Sequence, residues 1–295
     1  MTTYVQANTV AEALAAMADG ARPIAGGTDL VVGARQGKAP LPESLVGVHR
    51  IPGLESISEQ GGTVSIGALV THAALAGEPL IRGHYTALAD GSAIVGSHAT
   101  RVNGTIGGNV MNASPAMDTG AGLLCFDATA TLAGLDGERI IGLDELWAGP
   151  GQTTAAGGEL LTAIALHHRP GGSAYVRLQY RRQMEIAVVG VAAAVTFEGD
   201  SIVAARVAIA ALTSVITRVP AAEAALMGTD GSAGAIDEAA AAVTQAARPI
   251  SDVRASAEYR TAMARVIARR AIRTAVGRAG GEDVGIPASD TTFGS

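Results

Sequence analysis

The sequence predicts an α+β chain in two parts, and three observations carry that expectation. Up to Pro170, short apolar stretches alternate with helix signals and tight glycine turns. Beyond Tyr180, two long apolar runs follow one another, Ile186–Phe197 and Ser201–Leu212, and helical periodicity takes over after them. Between the two regions, Pro170-Gly171-Gly172 punctuates the chain strongly. Strands followed by helices imply a sheet with helices gathered on it rather than a second doubly wound unit. The length of 295 residues fits two domains at roughly 150 residues each. Their expected bounds are 1–175 and 176–280, with a loose tail at 281–295.

The elements follow in order. Thr9-Val10-Ala11-Glu12 fits a capping box that opens a helix carrying Ala13, Leu14 and Met17, with Gly20 closing it. Pro23-Ile24-Ala25 is a short strand, Gly26-Gly27 a tight turn, and Thr28 to Gly37 a second helix. Ser44–Val48 and Thr63–Ile66 read as strands, the latter alternating Val64 and Ile66 with polar partners. A helix is expected from His84 into Val95, then a Gly/Asn-rich segment from Asn103 to Asn112. Leu123–Phe126, Ala128–Leu132 and Ile140-Ile141 read as buried strands. In the second part, helices are expected at Ala221–Met227, Ile236–Ala247 and Ala257–Arg278, the last with Met263, Val266, Ile267 and Ala271 on one face.

Composition removes several function classes. The chain is 48% hydrophobic and 16% charged, so it can bury a large core. A net charge of −6 lacks the basic footprint of a nucleic-acid binder. One cysteine, Cys125, permits neither an internal disulfide nor an iron–sulfur cluster held by this chain alone, and it reads as a small core residue. No apolar run approaches the ~18 residues of a membrane span, and the N-terminus has no signal-peptide pattern. The chain therefore reads as soluble and cytoplasmic. The adjacent His167 and His168 would diverge in an extended segment, which argues against chelation.

Two glycine motifs could carry chemistry: Ile24-Ala25-Gly26-Gly27-Thr28-Asp29-Leu30 and Gly104-Thr105-Ile106-Gly107-Gly108-Asn109. Bare glycine backbone lets several N–H groups converge on a phosphate, and two such nests suit a dinucleotide. Either could equally be an ordinary tight turn. Neither has the spacing of a dinucleotide-binding Rossmann turn, and Gly33 to Lys38 is too short for a P-loop.

The residues as a set resemble the FAD-binding medium subunit of the molybdenum hydroxylases, the xanthine dehydrogenase and carbon monoxide dehydrogenase type. The resemblance rests on matches in order: Ala25 to Leu30; Ile66-Gly67-Ala68 through Thr71-His72; Gly104 to Asn109 with Ala113-Ser114-Pro115 and Asp118; Gly158-Glu159-Leu160-Leu161; Arg181 with Ile186 to Val189; and Ser251 to Arg254 with Tyr259-Arg260. It implies a two-subdomain FAD-binding domain of the PCMH type followed by a smaller α+β domain.

It also implies site roles. Ile24, Ala25, Gly26, Gly27, Thr28, Asp29 and Leu30, with Thr105, Ile106, Gly107, Gly108 and Asn109, would hold the FAD pyrophosphate. Asp118 would bond the nucleotide portion, and Leu161 would contact the flavin side. Arg177 stands where the family often has a flavin-proximal lysine. His98-Ala99-Thr100-Arg101 replaces the family's usual Pro-Gln-(Ile/Val)-Arg, which places His98 near the isoalloxazine. The implied activity is electron transfer, with FAD on this chain and molybdopterin and 2Fe–2S clusters on partner subunits, in a dimer of heterotrimers. No side chain need act as acid, nucleophile or metal ligand. The final acceptor stays open between NAD, oxygen, quinone and a cytochrome. A free-standing flavin oxidase or reductase, or a scaffold that has lost FAD, are the alternatives.

Overall fold

The computed structural model describes residues 2–37, 39–167 and 169–293, so His168 lies outside the described residues. The chain begins with β1 (Thr3–Gln6), α1 (Val10–Ala18), β2 (Arg22–Ile24), α2 (Thr28–Arg35) and β3 (Ser44–Gly47). The strands form a small parallel sheet in the order β1-β3-β2. The cap of α1 is the expected one with a small shift. The Thr9 hydroxyl accepts from the Glu12 N–H at 3.1 Å, and the Glu12 carboxylate accepts from Asn8 N–H, one residue before the cap. Ala13, Leu14 and Met17 pack against Val46 at the centre of this sheet.

Next come β4 (Ile57–Gln60), β5 (Thr63–Gly67), the helices α3 (His72–Gly77), α4 (Pro79–His84), α5 (Thr86–Ala93), α6 (His98–Asn103), α7 (Ile106–Asn112) and α8 (Asp118–Cys125), then β6 (Thr129–Gly134), β7 (Gly137–Gly142), α9 (Leu143–Leu146), the short pair β8 (Trp147–Gly149) and β9 (Gln152–Thr153), and β10 (Leu160–His167). An antiparallel sheet runs β4-β5-β10-β6-β7. Val64 and Ile66 are fully buried, as their alternation predicts, and join Leu132, Ile164, Leu75, Leu88 and Leu123 in the main core.

The second domain holds β11 (Gly172–Leu178), β12 (Val189–Glu198), β13 (Ser201–Ala210), β14 (Thr217–Arg218), α10 (Pro220–Leu226), α11 (Ala233–Ala246), α12 (Ala257–Ala279) and α13 (Ala288–Phe293). Its antiparallel sheet runs β11-β12-β13-β14. Val191, Ala193 and Val195 of β12 pack on the face that meets α10–α12, whereas Ala192 and Ala194 join the first domain's core. Both faces of the strand are thus buried, which is why it reads as one continuous apolar run instead of an alternation. Alanines on the inner face let α5 and α8 approach the sheet closely.

Several expectations need correction. Leu123–Phe126 is not a strand: Leu123 to Cys125 end α8, a helix buried on every side. Such a helix has no polar face, so a short apolar run within it cannot be told from a strand. Ile140 is a strand residue but 71% exposed, because β7 is the sheet's edge. The helix expected from His84 is broken at Tyr85 (φ −127°) into α4 and α5. Finally, residues 281–293 are not loose. Ala288 and Ser289 are fully buried, Ala288 N–H donates to Asp90, and the Ser289 hydroxyl accepts from Arg177 N–H. Cys125 is buried, and burial first, then the Glu223 charge, push its thiol up to about 12, as befits a packing residue. Among the described residues no helix is long and apolar enough to cross a membrane.

Candidate functional site

The first glycine motif forms a helix start with open donors. The chain leaves β2 at Ile24 and turns through Gly27, whose φ of +67° suits glycine alone without strain. No side chain caps α2, and Val31 is the first N–H to bond back, to the Gly27 carbonyl. Among the described hydrogen bonds, the N–H groups of Thr28, Asp29 and Leu30 have no acceptor. A helix start of this kind, with its partial positive charge, is suited to an anion. Gly26 has a different reason to be glycine. A Cβ built there would lie 1.8 Å from the Asn103 carbonyl oxygen, so this turn is pressed backbone-to-backbone against the end of α6.

The second motif lies beside the first. A Cβ on Gly104 would stand 3.3 Å from the Thr28 hydroxyl, and Thr71 pairs with Thr105 across an isolated β-bridge. The expected nest of free N–H groups is not present here. Ile106 and Gly107 donate to the carbonyls of Val70 and Ala68, Gly108 donates to the Thr105 hydroxyl, and Asn109 donates to the Thr105 carbonyl. Neither Gly107 nor Gly108 has a positive φ. Gly107 is required by packing instead, since a Cβ would come within 2.6 Å of Ala68. Gly108 is exposed, with only the Thr105 hydroxyl near its missing side chain. Gly107→Val should therefore cost about 1–3 kcal/mol by overpacking, while Gly108→Val should stay within about 0.5 kcal/mol of wild type. Urea unfolding of the two variants separates these roles, and equal losses would contradict them.

Asp118 and Arg177 come together, but not over the glycine turns. Both are buried, and Arg177 Nη1 donates to Asp118 Oδ2 at 2.5 Å. Asp118 Oδ1 accepts from the Tyr175 hydroxyl at 2.9 Å. Each carboxylate oxygen thus has a partner from β11, and in this structure Asp118 binds the second domain instead of presenting an open acceptor pair for a diol. Burial pushes its carboxyl up to about 6 against the pull of Arg177 and Tyr175. Arg177 also donates to Gln179 Oε1 and the Glu185 carbonyl, while its buried Nη2 has no partner. Asn109 is anchored through its Oδ1, which accepts from the Thr119 hydroxyl. Leu161 faces the main core, 4% exposed, on the strand whose Thr162 carbonyl accepts from Ala68 N–H. His98 is exposed at the start of α6.

His72 is the residue that sequence reasoning passed over. It was visible within Thr71-His72, yet nothing local marked its ring as special. The side chain is 2% exposed, its Cδ2 would stand 3.4 Å from a Cβ on Gly104, and its Nδ1 has no hydrogen-bond partner. Burial first, then the Arg101 charge, hold the imidazole down at about 4. Arg101 is influenced in turn by Arg177. Arg101, on the helix whose end abuts Gly26, thus places positive charge near the first glycine turn. Together with the open α2 donors, it makes a site that an anionic diphosphate ligand fits.

His72 sets a pH dependence. The unfolded chain takes up this proton near pH 6.5 and the folded chain only near 4. The unfolded state thus binds more protons in that window, so stability rises with pH across it and is lost on acidification. Complete protonation should cost about 3 kcal/mol. Urea unfolding at several pH values should show His72→Gln lacking this part of the slope; parallel profiles would contradict it.

Residues 1–167 match the FAD-binding domain in molybdopterin dehydrogenase, and residues 173–275 match the CO dehydrogenase flavoprotein C-terminal domain. The two matched domains are those of an oxidoreductase-family flavoprotein subunit. The chain belongs to the FAD-binding medium subunits of the molybdopterin hydroxylase family. It is 33% identical over 280 residues to the carbon monoxide dehydrogenase medium chain of Afipia carboxidovorans, covering 94% of this chain and 97% of that one. It is 34% identical over 283 residues to the 6-hydroxypseudooxynicotine dehydrogenase complex subunit alpha of Paenarthrobacter nicotinovorans, covering 94% and 95%. Among solved structures, the reconstituted CO dehydrogenase from Oligotropha carboxidovorans superimposes with a TM-score of 0.90 at 33% identity, over 95% of this chain and 99% of that one.

Proposed function

We propose that this chain is the flavoprotein component of a molybdenum hydroxylase. It would receive electrons from 2Fe–2S clusters on a small subunit, with substrate oxidised at molybdopterin on a large one. The observation that carries this reading is the unsatisfied start of α2, whose N–H groups at Thr28, Asp29 and Leu30 lie in a glycine turn beside Gly104. The turn at Ile24 to Leu30 would take the FAD diphosphate. Thr105 to Asn109 supports it as a packed floor. Arg101 supplies positive potential, and Asp118 holds Arg177 in place where α8 meets β11. Bound FAD supplies the redox chemistry, taking up and releasing electrons singly or in pairs. Binding, orienting and electrostatic tuning are the chain's own work.

The partners follow from an inventory. With one cysteine, the chain cannot build a cluster relay of its own. We infer an assembly with an iron–sulfur subunit and a molybdopterin subunit, doubled into a dimer of heterotrimers. Purification from the native host tests this. Molybdenum, iron and FAD should travel with the chain, and the chain alone should accept electrons from an artificial reductant without oxidising the complex's substrate. Substrate turnover by the single chain, free of molybdenum and iron, would instead favour a free-standing oxidase.

A further inference from the structure

The segment from Ser251 to Arg260 lies in the second domain, far along the chain from the glycine turns, yet its hydrogen bonds lead back to them. Asp252 organises it. Its Oδ1 accepts from the N–H groups of Arg254 and Ala255 and from Arg260 Nη2 at 2.7 Å, and its Oδ2 accepts from Arg254 Nη1. Arg260 is 3% exposed and passes through this segment to donate from Nη1 to the Val188 carbonyl at 3.0 Å. Val188 closes a loop, because its N–H donates to the Leu178 carbonyl. Near the loop's other end, the Tyr180 hydroxyl donates to the Arg254 carbonyl at 2.8 Å. The Asp252 segment therefore holds both ends of the 179–188 loop.

The tip of that loop crosses to the first domain. Met184 N–H donates to the Gly96 carbonyl at 2.9 Å, and the Thr100 hydroxyl meets the Met184 sulfur. Gly96 immediately precedes the cap of α6, and α6 ends at Asn103, whose carbonyl abuts Gly26. The Glu185 carbonyl also accepts from Arg177. The loop is thus bonded to the helix that backs the first glycine turn and to Arg177 of β11. Met184 holds φ +55°, a conformation that a non-glycine residue keeps only where its surroundings impose it.

We propose that Asp252 and Arg260 are positioning residues for the cofactor site, acting through the 179–188 loop. Resting on the FAD reading above, the inference adds a role for a segment that touches none of the glycine turns. Hydrogen exchange of the FAD-free full chain tests it first. In Asp252→Ala, and in Tyr180→Phe as a milder variant that removes one hydroxyl, amides of residues 181–186 should exchange about tenfold faster while β5 and β10 of the first domain keep wild-type protection. FAD should then bind about tenfold more weakly, and the fluorescence of bound flavin should rise. Unchanged loop exchange in both variants would overturn the proposal. So would a loosened loop with unchanged FAD affinity and flavin fluorescence, which would leave the segment a purely structural role. If the wild-type chain itself binds no FAD, the cofactor reading fails first, and the positioning role fails with it whatever the exchange rates.

Discussion

Asp90→Ala is expected to destabilise the chain by about 3–5 kcal/mol, the cost of leaving one member of a buried ion pair without its partner. Asp90 lies on α5 and is fully buried. Arg278 of α12 donates to it from both terminal nitrogens, at 2.7 and 3.0 Å. The N–H groups of Tyr175 and Ala288 donate to the same carboxylate at 3.0 and 2.9 Å. Removing the carboxylate leaves the Arg278 charge without its counter-ion, its nitrogens keeping only the carbonyls of Ser173, Val284 and Gly285, and strands two backbone donors. The damage should appear where the domains meet, since Tyr175, Arg278 and Ala288 all belong to the second domain. Trp147, the single tryptophan, is buried in the first domain and reports its unfolding by fluorescence. Urea midpoints followed by Trp147 and by circular dichroism should both fall. A change within about 0.5 kcal/mol would mean that water or Arg278 rearrangement replaces the contact.

Gly26→Val should abolish most FAD binding, weakening it on the order of 100-fold, or roughly 2.7 kcal/mol. The new Cβ would fall 1.8 Å from the Asn103 carbonyl oxygen, and backbone faces it on α6. Neither side can yield by rotating a side chain, so the open start of α2 must withdraw from α6. Gly33→Ala on the same helix is the control. Its missing Cβ faces open space, so that variant should bind FAD normally and gain up to about 1 kcal/mol of helix stability. Equal FAD affinity in Gly26→Val and Gly33→Ala would remove the first turn from the site.

What could be read from the sequence was mostly local. The Thr9–Glu12 cap, the alternation at Val64 and Ile66, and the Gly26-Gly27 turn each depend on neighbours within a few residues, and each stands in the structure. The long runs at 186–212 read correctly as strands because burial on both faces leaves no polar position to mislead. Leu123–Phe126 failed for the same reason in a helix, where burial all round erases the period. Long-range partners were out of reach. Nothing at Asp118 announces that Tyr175 and Arg177 will take its two oxygens, or that a tail from Ala288 will close on Asp90. Gly107 and Gly108 looked alike, and only the fold separates a glycine pressed on Ala68 from one left open. The family resemblance pointed to a region, but it could not say which backbone donors there lack an acceptor.

The central claim is that the open α2 start receives a diphosphate, and a ligand titration tests it most directly. The purified FAD-free chain is titrated with FAD and, separately, with riboflavin, which has the flavin ring but no phosphate. FAD should bind one per chain with non-covalent, acid-releasable colour, and riboflavin should bind more weakly by about 100-fold or more, as expected when charge-assisted hydrogen bonds to the phosphates are missing. Equal affinity for the two ligands, or no uptake of FAD, would contradict the account.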